Sequence, residues 1–214
     1  MKTLRLLLLL LLPLVGASCD KDDDSIDLTD YRQDIVTCRH EGERLLFLRD
    51  DGATLCPDPA LPAEMLPEEQ RILIGYSPAG PTDDSHIRIV MQSAIGLIPY
   101  SPVTALDERE AALLADDPLY ITSVWYGGGC INLRYQIEYH RATHSMSMIA
   151  VQPQADADTL DLQLRYNNSD DDPGFYRAGY ASFRIESPHP ANIRVRTNTA
   201  NLGGEKYFVF TTKQ

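Results

Sequence analysis

The sequence predicts an all-β fold: a small five-stranded barrel, then a seven-stranded β-sandwich, joined by one short helix. Three observations carry this. Apolar and polar residues alternate with period two through the second half, as in the run from Ile131 to Tyr139, and such alternation puts one set of side chains on each face of a strand. Clusters of Gly, Pro, Asn and Asp separate the apolar runs at short intervals. One stretch alone, Ala105 to Leu114, reads as a helix.

A leader stands ahead of the first strand. Lys2 and Arg5 precede an unbroken leucine run from Leu6 to Leu12. The apolar stretch ends at Ala17, well short of the roughly 20 residues of a membrane-spanning helix. Residues 1–18 therefore read as a cleaved signal peptide. Cys19 directly follows Gly16-Ala17-Ser18. This resembles the lipobox of bacterial lipoproteins, whose cysteine becomes the acylated first residue. Gly16 departs from the larger aliphatic usual at that place, although relaxed boxes ending in Ser-Cys resemble those of Bacteroidetes. An ordinary signal peptide with a coincident cysteine is the alternative. Lipidation at Cys19 implies contact with a membrane through N-terminal acyl chains, several of which hold firmly where one binds marginally.

Residues 19–30 then form an acidic tether. Asp20-Lys21-Asp22-Asp23-Asp24 has no apolar surface to bury and repels itself. At about 3.3 Å per residue the tether reaches roughly 30 Å. Lysine with clustered aspartates after the cysteine is similar to the export signal of surface lipoproteins in Bacteroidetes. The expected location is the outer membrane, exposed at the cell surface, with a periplasm-facing orientation as the alternative. Asp24-Ser25-Ile26 resembles the Asp-Ser/Thr-aliphatic sites of O-glycosylation in that group, which makes Ser25 a candidate; Asp158-Thr159-Leu160 fits the same pattern.

The barrel domain is expected over residues 31–103. Tyr31 to Arg39 and Glu43 to Arg49 are strand candidates, and Asp50-Asp51-Gly52 is a tight-turn signal returning the chain through Ala53 to Cys56. Pro57, Pro59, Pro62 and Pro67 mark a loop. Gln70 to Tyr76 and His86 to Met91 complete five strands. So short a set must close or pair its edges, and a barrel of the oligonucleotide/oligosaccharide-binding (OB) type is one solution. Thr104 is the expected cap of the connecting helix, with Asp107 and Glu108 suiting its positive start.

The sandwich domain is expected over residues 104–214. Its strands are Tyr120 to Tyr126, Ile131 to Tyr139, Met146 to Ala150, Leu160 to Tyr166, Phe175 to Ile185, Ile193 to Thr197 and Lys206 to Thr211. Seven strands with one apolar face each imply two packed sheets. The lone tryptophan, Trp125, reads as a core anchor rather than a ligand platform.

Several of these motifs together resemble one family. They are Asp50-Asp51-Gly52 after an apolar strand, the Gln70 to Ile74 strand, Trp125-Tyr-Gly-Gly-Gly before a long alternating strand, Leu164-Arg-Tyr-Asn-Asn before Asp-Asp-Pro, and the closing Gly203-Gly204-Glu205-Lys206. Their order and spacing are similar to NigD-like lipoproteins of Bacteroidetes. The resemblance implies an N-terminal OB-type barrel and a C-terminal β-sandwich. It supplies no catalytic residues. The family's association with a bacteriocin operon implies, as an alternative function, self-protection of the immunity type.

Composition narrows the partners. The formal net charge is −12, which repels nucleic acid, and no basic patch with interleaved aromatics offsets it. With Cys19 lipidated, Cys38, Cys56 and Cys130 remain, so a disulfide framework is excluded. A single bridge between Cys38 and Cys56 is the candidate, with buried thiols as the alternative. No cofactor is expected. The hard oxygens of Asn167, Asp170, Asp171 and Asp172 are the one candidate metal site, for Ca²⁺, against a plain strand-connecting loop. His140 and His144 flank a turn without a third ligand and read as solvated. No Gly-x-Ser-x-Gly turn frames a nucleophile. A glycan-acting carboxylate pair would be defined by geometry rather than composition. The sequence thus predicts a non-enzymatic binding or interaction module at the envelope, taking a glycan or protein ligand through loops such as Pro57 to Glu69 and Asn167 to Gly174.

Overall fold

The computed structural model describes residues 30–79, 86–93, 95–154, 158–186 and 190–212. Cys19 and Ser25 lie outside them.

The first domain is a closed barrel. Its strands are β1 (Arg32–Glu41), β2 (Arg44–Leu48), β3 (Thr54–Pro57), β4 (Leu61–Pro62), β5 (Arg71–Pro78), β6 (His86–Met91) and β7 (Gly96–Leu97). The order β1-β2-β3-β6-β5 closes because β1 also pairs with β5. The five expected strands make this ring. The short β4 and β7 pair with β2 and β5, so part of the proline-rich loop is extended against the barrel. Closure removes the exposed edges of the ring. Val36, Leu45, Phe47, Leu55, Ile72, Ile74 and Ile89 fill its interior. Gly52, at φ +88°, makes the β2–β3 turn, a conformation most L residues avoid.

The register corrects the expected Cys38–Cys56 bridge. Cys38, Phe47 and Leu55 stand abreast on β1, β2 and β3 and all face inward. Cys56, next along β3, therefore faces the other way, and β2 separates the two strands. Cys38 is a buried free thiol.

The chain leaves the barrel through β8 (Tyr100–Pro102) and β9 (Thr104–Asp107) before α1 (Glu108–Ala112). Thr104 does not cap this helix. It is extended and opposite Ile149, because β9 completes the edge of a sheet. Asp107 is the cap: its carboxylate accepts from the amides of Arg109 and Glu110, and Glu110 accepts from the Asp107 amide. This reciprocal box satisfies donors that a helix start leaves open. Ladder hydrogen bonds over Thr104–Asp107 outweigh the weak helical propensity there.

The second domain contains all seven expected strands: β10 (Tyr120–Gly127), β11 (Cys130–Tyr139), β12 (Ser145–Gln152), β13 (Thr159–Asn167), β14 (Phe175–Arg184), β15 (Asn192–Thr199) and β16 (Gly204–Thr211). Together with β8 and β9 they form two sheets, ordered β10-β11-β14-β8 and β16-β15-β13-β12-β9. Ile131 and Leu133 of β11 meet Leu162 and Leu164 of β13 in one core with Met148, Phe183, Ile193 and Val195. Full burial of such side chains contributes about 1.5–3 kcal/mol each. The strand β8 lies on the barrel side of residue 103 yet pairs with β14 of the sandwich.

Candidate functional site: the seam between barrel and sandwich

Alternation along β11 sends Ile131 and Leu133 into the sandwich core, so Asn132 between them points outward, towards the barrel. It is fully buried there. Arg71, the first residue of β5, reaches it from the barrel with a side chain 1 % exposed. Its Nη2 donates to Asn132 Oδ1 at 2.9 Å and to Asp50 Oδ2 at 3.1 Å. Its Nη1 donates to Asp50 Oδ1 at 2.5 Å and to Thr37 Oγ1 at 3.1 Å. Ser182 Oγ donates to the same Asn132 oxygen at 2.6 Å. Such a forked pairing is strong and directional.

The glycines after Trp125 make room for this pair. A Cβ on Gly127 would lie 2.5 Å from Asp50 Oδ2, and one on Gly128, which sits at φ +59°, would also meet the Asp50 carboxylate. Three family-like motifs therefore converge on one place: the Asp50 turn, the Arg71 strand and the Trp125-to-Gly129 turn. Their spacing in the chain concealed that they touch.

Beside this lock lies an open cleft of about 500 Å³. Gln33, Asp34, Arg49 and Asp51 line it from the barrel; Trp125, Tyr126 and Tyr180 line it from the sandwich. Trp125 is half-buried, and the reading of it as a core anchor is corrected. Val124 and Tyr126, its neighbours on β10, pack towards the core, which turns the indole to the cleft. Every carboxylate here has a partner. Arg49 pairs with Asp51 at 2.8 Å and approaches Asp34 at 3.7 Å, and Tyr76 donates to Asp34 at 2.6 Å. Burial, then the hydrogen bond to Asp34, pushes the Tyr76 phenol up to about 12, so it stays a donor. The Arg134 guanidinium lies over the Tyr180 ring at 5.6 Å.

The loop after β13 carries the candidate metal ligands, and here the structure differs from the expected Ca²⁺ site. Asn167 Oδ1 accepts from the Ser169 amide, and Asp171 accepts from the amides of His140, Arg141 and Ala142. Asp170 and Asp172 do not join Asp171 around a common point: no metal-holding group of three or more His, Cys, Asp or Glu occurs among the described residues. His144 is not solvated. Its side chain is 7 % exposed, with Nε2 3.2 Å from Asp171 Oδ2 and Nδ1 2.6 Å from the Tyr166 hydroxyl. Burial would raise the Asp171 pKa, but the three backbone amides and His144 together hold it well below the usual carboxylate range. His140 remains exposed. This cluster staples two turns together.

No helix among the described residues is long and apolar enough to cross a membrane. Comparison with curated proteins finds no match. Among solved structures, a Bacteroides vulgatus protein of unknown function, DUF1344, aligns with TM-score 0.73 at 19 % identity, covering 86 % of this chain and 92 % of that one. A Bacteroides fragilis protein described provisionally as a lipoprotein aligns with TM-score 0.65 at 12 % identity, over 86 % and 99 %. A NigD-like immunity protein from Bacteroides caccae aligns with TM-score 0.61 at 16 % identity, over 85 % and 97 %. At these identities the likeness is one of fold. The family model for the NigD-like C-terminal beta sandwich domain matches residues 101–211, more than half of the sequence, and the chain belongs to the NigD-like family.

Proposed function

We propose that this protein is an envelope-anchored lipoprotein acting as a non-enzymatic binding module, with the cleft between barrel and sandwich as its ligand site. The observation that carries the reading is Trp125: the sole tryptophan turns out of the core and faces a cleft walled by both domains. Ligand sites favour domain junctions and volumes of about 300–1,000 Å³. The Asp50–Arg71–Asn132 lock supports the reading because it holds both walls in fixed relation, which lowers the ordering cost of binding. Cys19 supplies the acyl anchor, and the acidic tether presents the body outward from the outer membrane.

Trp125 also provides the test. Envelope fractions, polysaccharide and protein separately, are titrated against its fluorescence, and binding is repeated with Trp125→Ala by calorimetry. The expected result is a saturable change whose ligand is lost by the variant. A ligand held equally well by Trp125→Ala binds elsewhere and overturns the assignment. Metabolic labelling with a fatty acid, in wild type and Cys19→Ser, tests the anchor; label retained in Cys19→Ser removes it.

A second reading, self-protection against a toxin at the envelope, is favoured by the fold likeness to the Bacteroides caccae NigD-like immunity protein. Deleting the gene and challenging cells with the cognate toxin decides it. Unchanged sensitivity eliminates this reading.

A further inference from the structure

Resting on the cleft as ligand site, we infer that the ligand is an extended, uncharged oligosaccharide, and that it continues from the cleft along the outer face of β10, β11 and β14. The register sets that face in rows. Trp125, Asn132 and Ser182 stand abreast; then Ser123, Arg134 and Tyr180; then Tyr120, Gln136 and Ala178; then Glu138 and Tyr176. Ile131, Leu133, Tyr135 and Ile137 of β11 pack into the sandwich core, so these intervening residues face outward.

The rows open progressively to solvent. Asn132 and Ser182 are buried under the barrel, Tyr180 lines the cleft, and Tyr120 and Tyr176 are 44 % and 74 % exposed. At about 3.4 Å per residue, Tyr176 stands roughly 14 Å beyond Tyr180, and the whole face runs roughly 20 Å from the Trp125 row. That length suits a chain of sugars rather than one.

Composition and charge select the ligand class. The rings along these rows are tryptophan and tyrosine, apolar on the face and polar at the tip, and Ser123 and Gln136 stand among them. A pyranose has the matching character, with C–H bonds on its faces and hydroxyls around its rim. Ala178 is the only aliphatic residue in these rows, whereas protein interfaces centre on apolar anchors. The acids of the cleft are already partnered, Asp50 by Arg71, Asp51 by Arg49 and Asp34 by the Tyr76 hydroxyl and Arg49, and the outer rows carry one cation, Arg134, and one anion, Glu138. A polyanion would be repelled by a chain of formal charge −12, and a polycation would find the acids of the cleft already held by Arg71, Arg49 and Tyr76. An uncharged polymer of hydroxyls complements it.

The test is calorimetric titration of the full protein with neutral gluco-, manno- and xylo-oligosaccharides, from disaccharide to hexasaccharide. Affinity should rise with chain length for one of these series. Tyr176→Ala, at an exposed position that folding does not need, should weaken the hexasaccharide about tenfold while sparing the disaccharide. Trp125→Ala should abolish binding of both. Binding that does not grow with length, or a hexasaccharide indifferent to Tyr176→Ala, overturns the extended face and leaves the cleft standing. No binding by any of these oligosaccharides overturns the ligand class, while a protein ligand lost in Trp125→Ala would still uphold the cleft.

Discussion

Asp50 and Asp171 sit at opposite ends of strand β11 and are held by different partners. Asp50 is answered by a full charge from Arg71, which is itself tied across the domain boundary to Asn132. Asp171 is answered by backbone amides at residues 140–142 and by His144. The first arrangement couples two domains. The second fixes the path of one turn. A buried ion pair is costly to break because the survivor stays buried and unpaired, whereas lost amide partners are partly replaced by water once a surface turn opens. The seam should therefore respond globally to mutation and the turn locally.

The largest effect should come from Arg71→Ala. It removes the cation from Asp50 and the cross-domain donor from Asn132, which keeps Ser182, and should cost about 3–5 kcal/mol, read as a lower urea midpoint. Wild-type stability in this variant would break the contrast.

Gly128→Ala should come next. Its positive φ and the nearby Asp50 carboxylate should together cost about 1–3 kcal/mol. Combined with Asp50→Ala the penalty should be less than additive, since the carboxylate that collides is gone. Additive losses would mean that the glycine serves only the turn.

Asp171→Asn should act locally. Amide exchange at residues 140–142 should quicken, while the global midpoint moves less than in Arg71→Ala. The pH dependence has a definite sign. The folded pKa of Asp171 lies below its ordinary value, so its stabilising contribution is complete above the normal carboxylate range and is lost as pH falls through the folded value. Exchange protection in wild type should fade with acidification in that window and stay flat in Asp171→Asn. Equal acid sensitivity in both would assign the effect to another group.

The smallest effect should be that of a reducing agent, which should leave the melting temperature unchanged. Cys38 and Cys130 are free, and burial pushes each thiol up to about 11. Both should resist alkylation until the protein unfolds; reaction in the native state would show that the barrel or the seam opens readily.

The strands were largely legible because their cause is local. The alternation of Ile131 to Ile137 and of Leu160 to Tyr166 states which face each residue takes, and the structure packs their apolar members into one core. The helix start was misplaced because Thr104 and Asp107 are both good caps in isolation; only the pairing of β9 with β12 decides between them. Trp125 was misread for a related reason. Its neighbours are apolar too, and the phase of a short strand at a sheet edge cannot be taken from three aromatic or branched residues in a row. The aspartates of the loop after β13 looked like metal ligands because oxygen-rich composition serves turns and cations alike.

Sequence alone determined the all-β class, the order of barrel before sandwich, seven strands of the sandwich and the family. Period-two patterning and turn chemistry act between residues a few positions apart, and they need no knowledge of distant neighbours. Tertiary structure alone decided that Asp50, Arg71, Asn132 and the Gly127-Gly128 turn form one lock, that Cys38 and Cys56 face apart, and that Trp125 opens onto a cleft. Those outcomes depend on the register between strands and on one domain docking against another. Charge, hydrogen bonding and steric fit set them across long stretches of chain, where composition and spacing carry no record of contact.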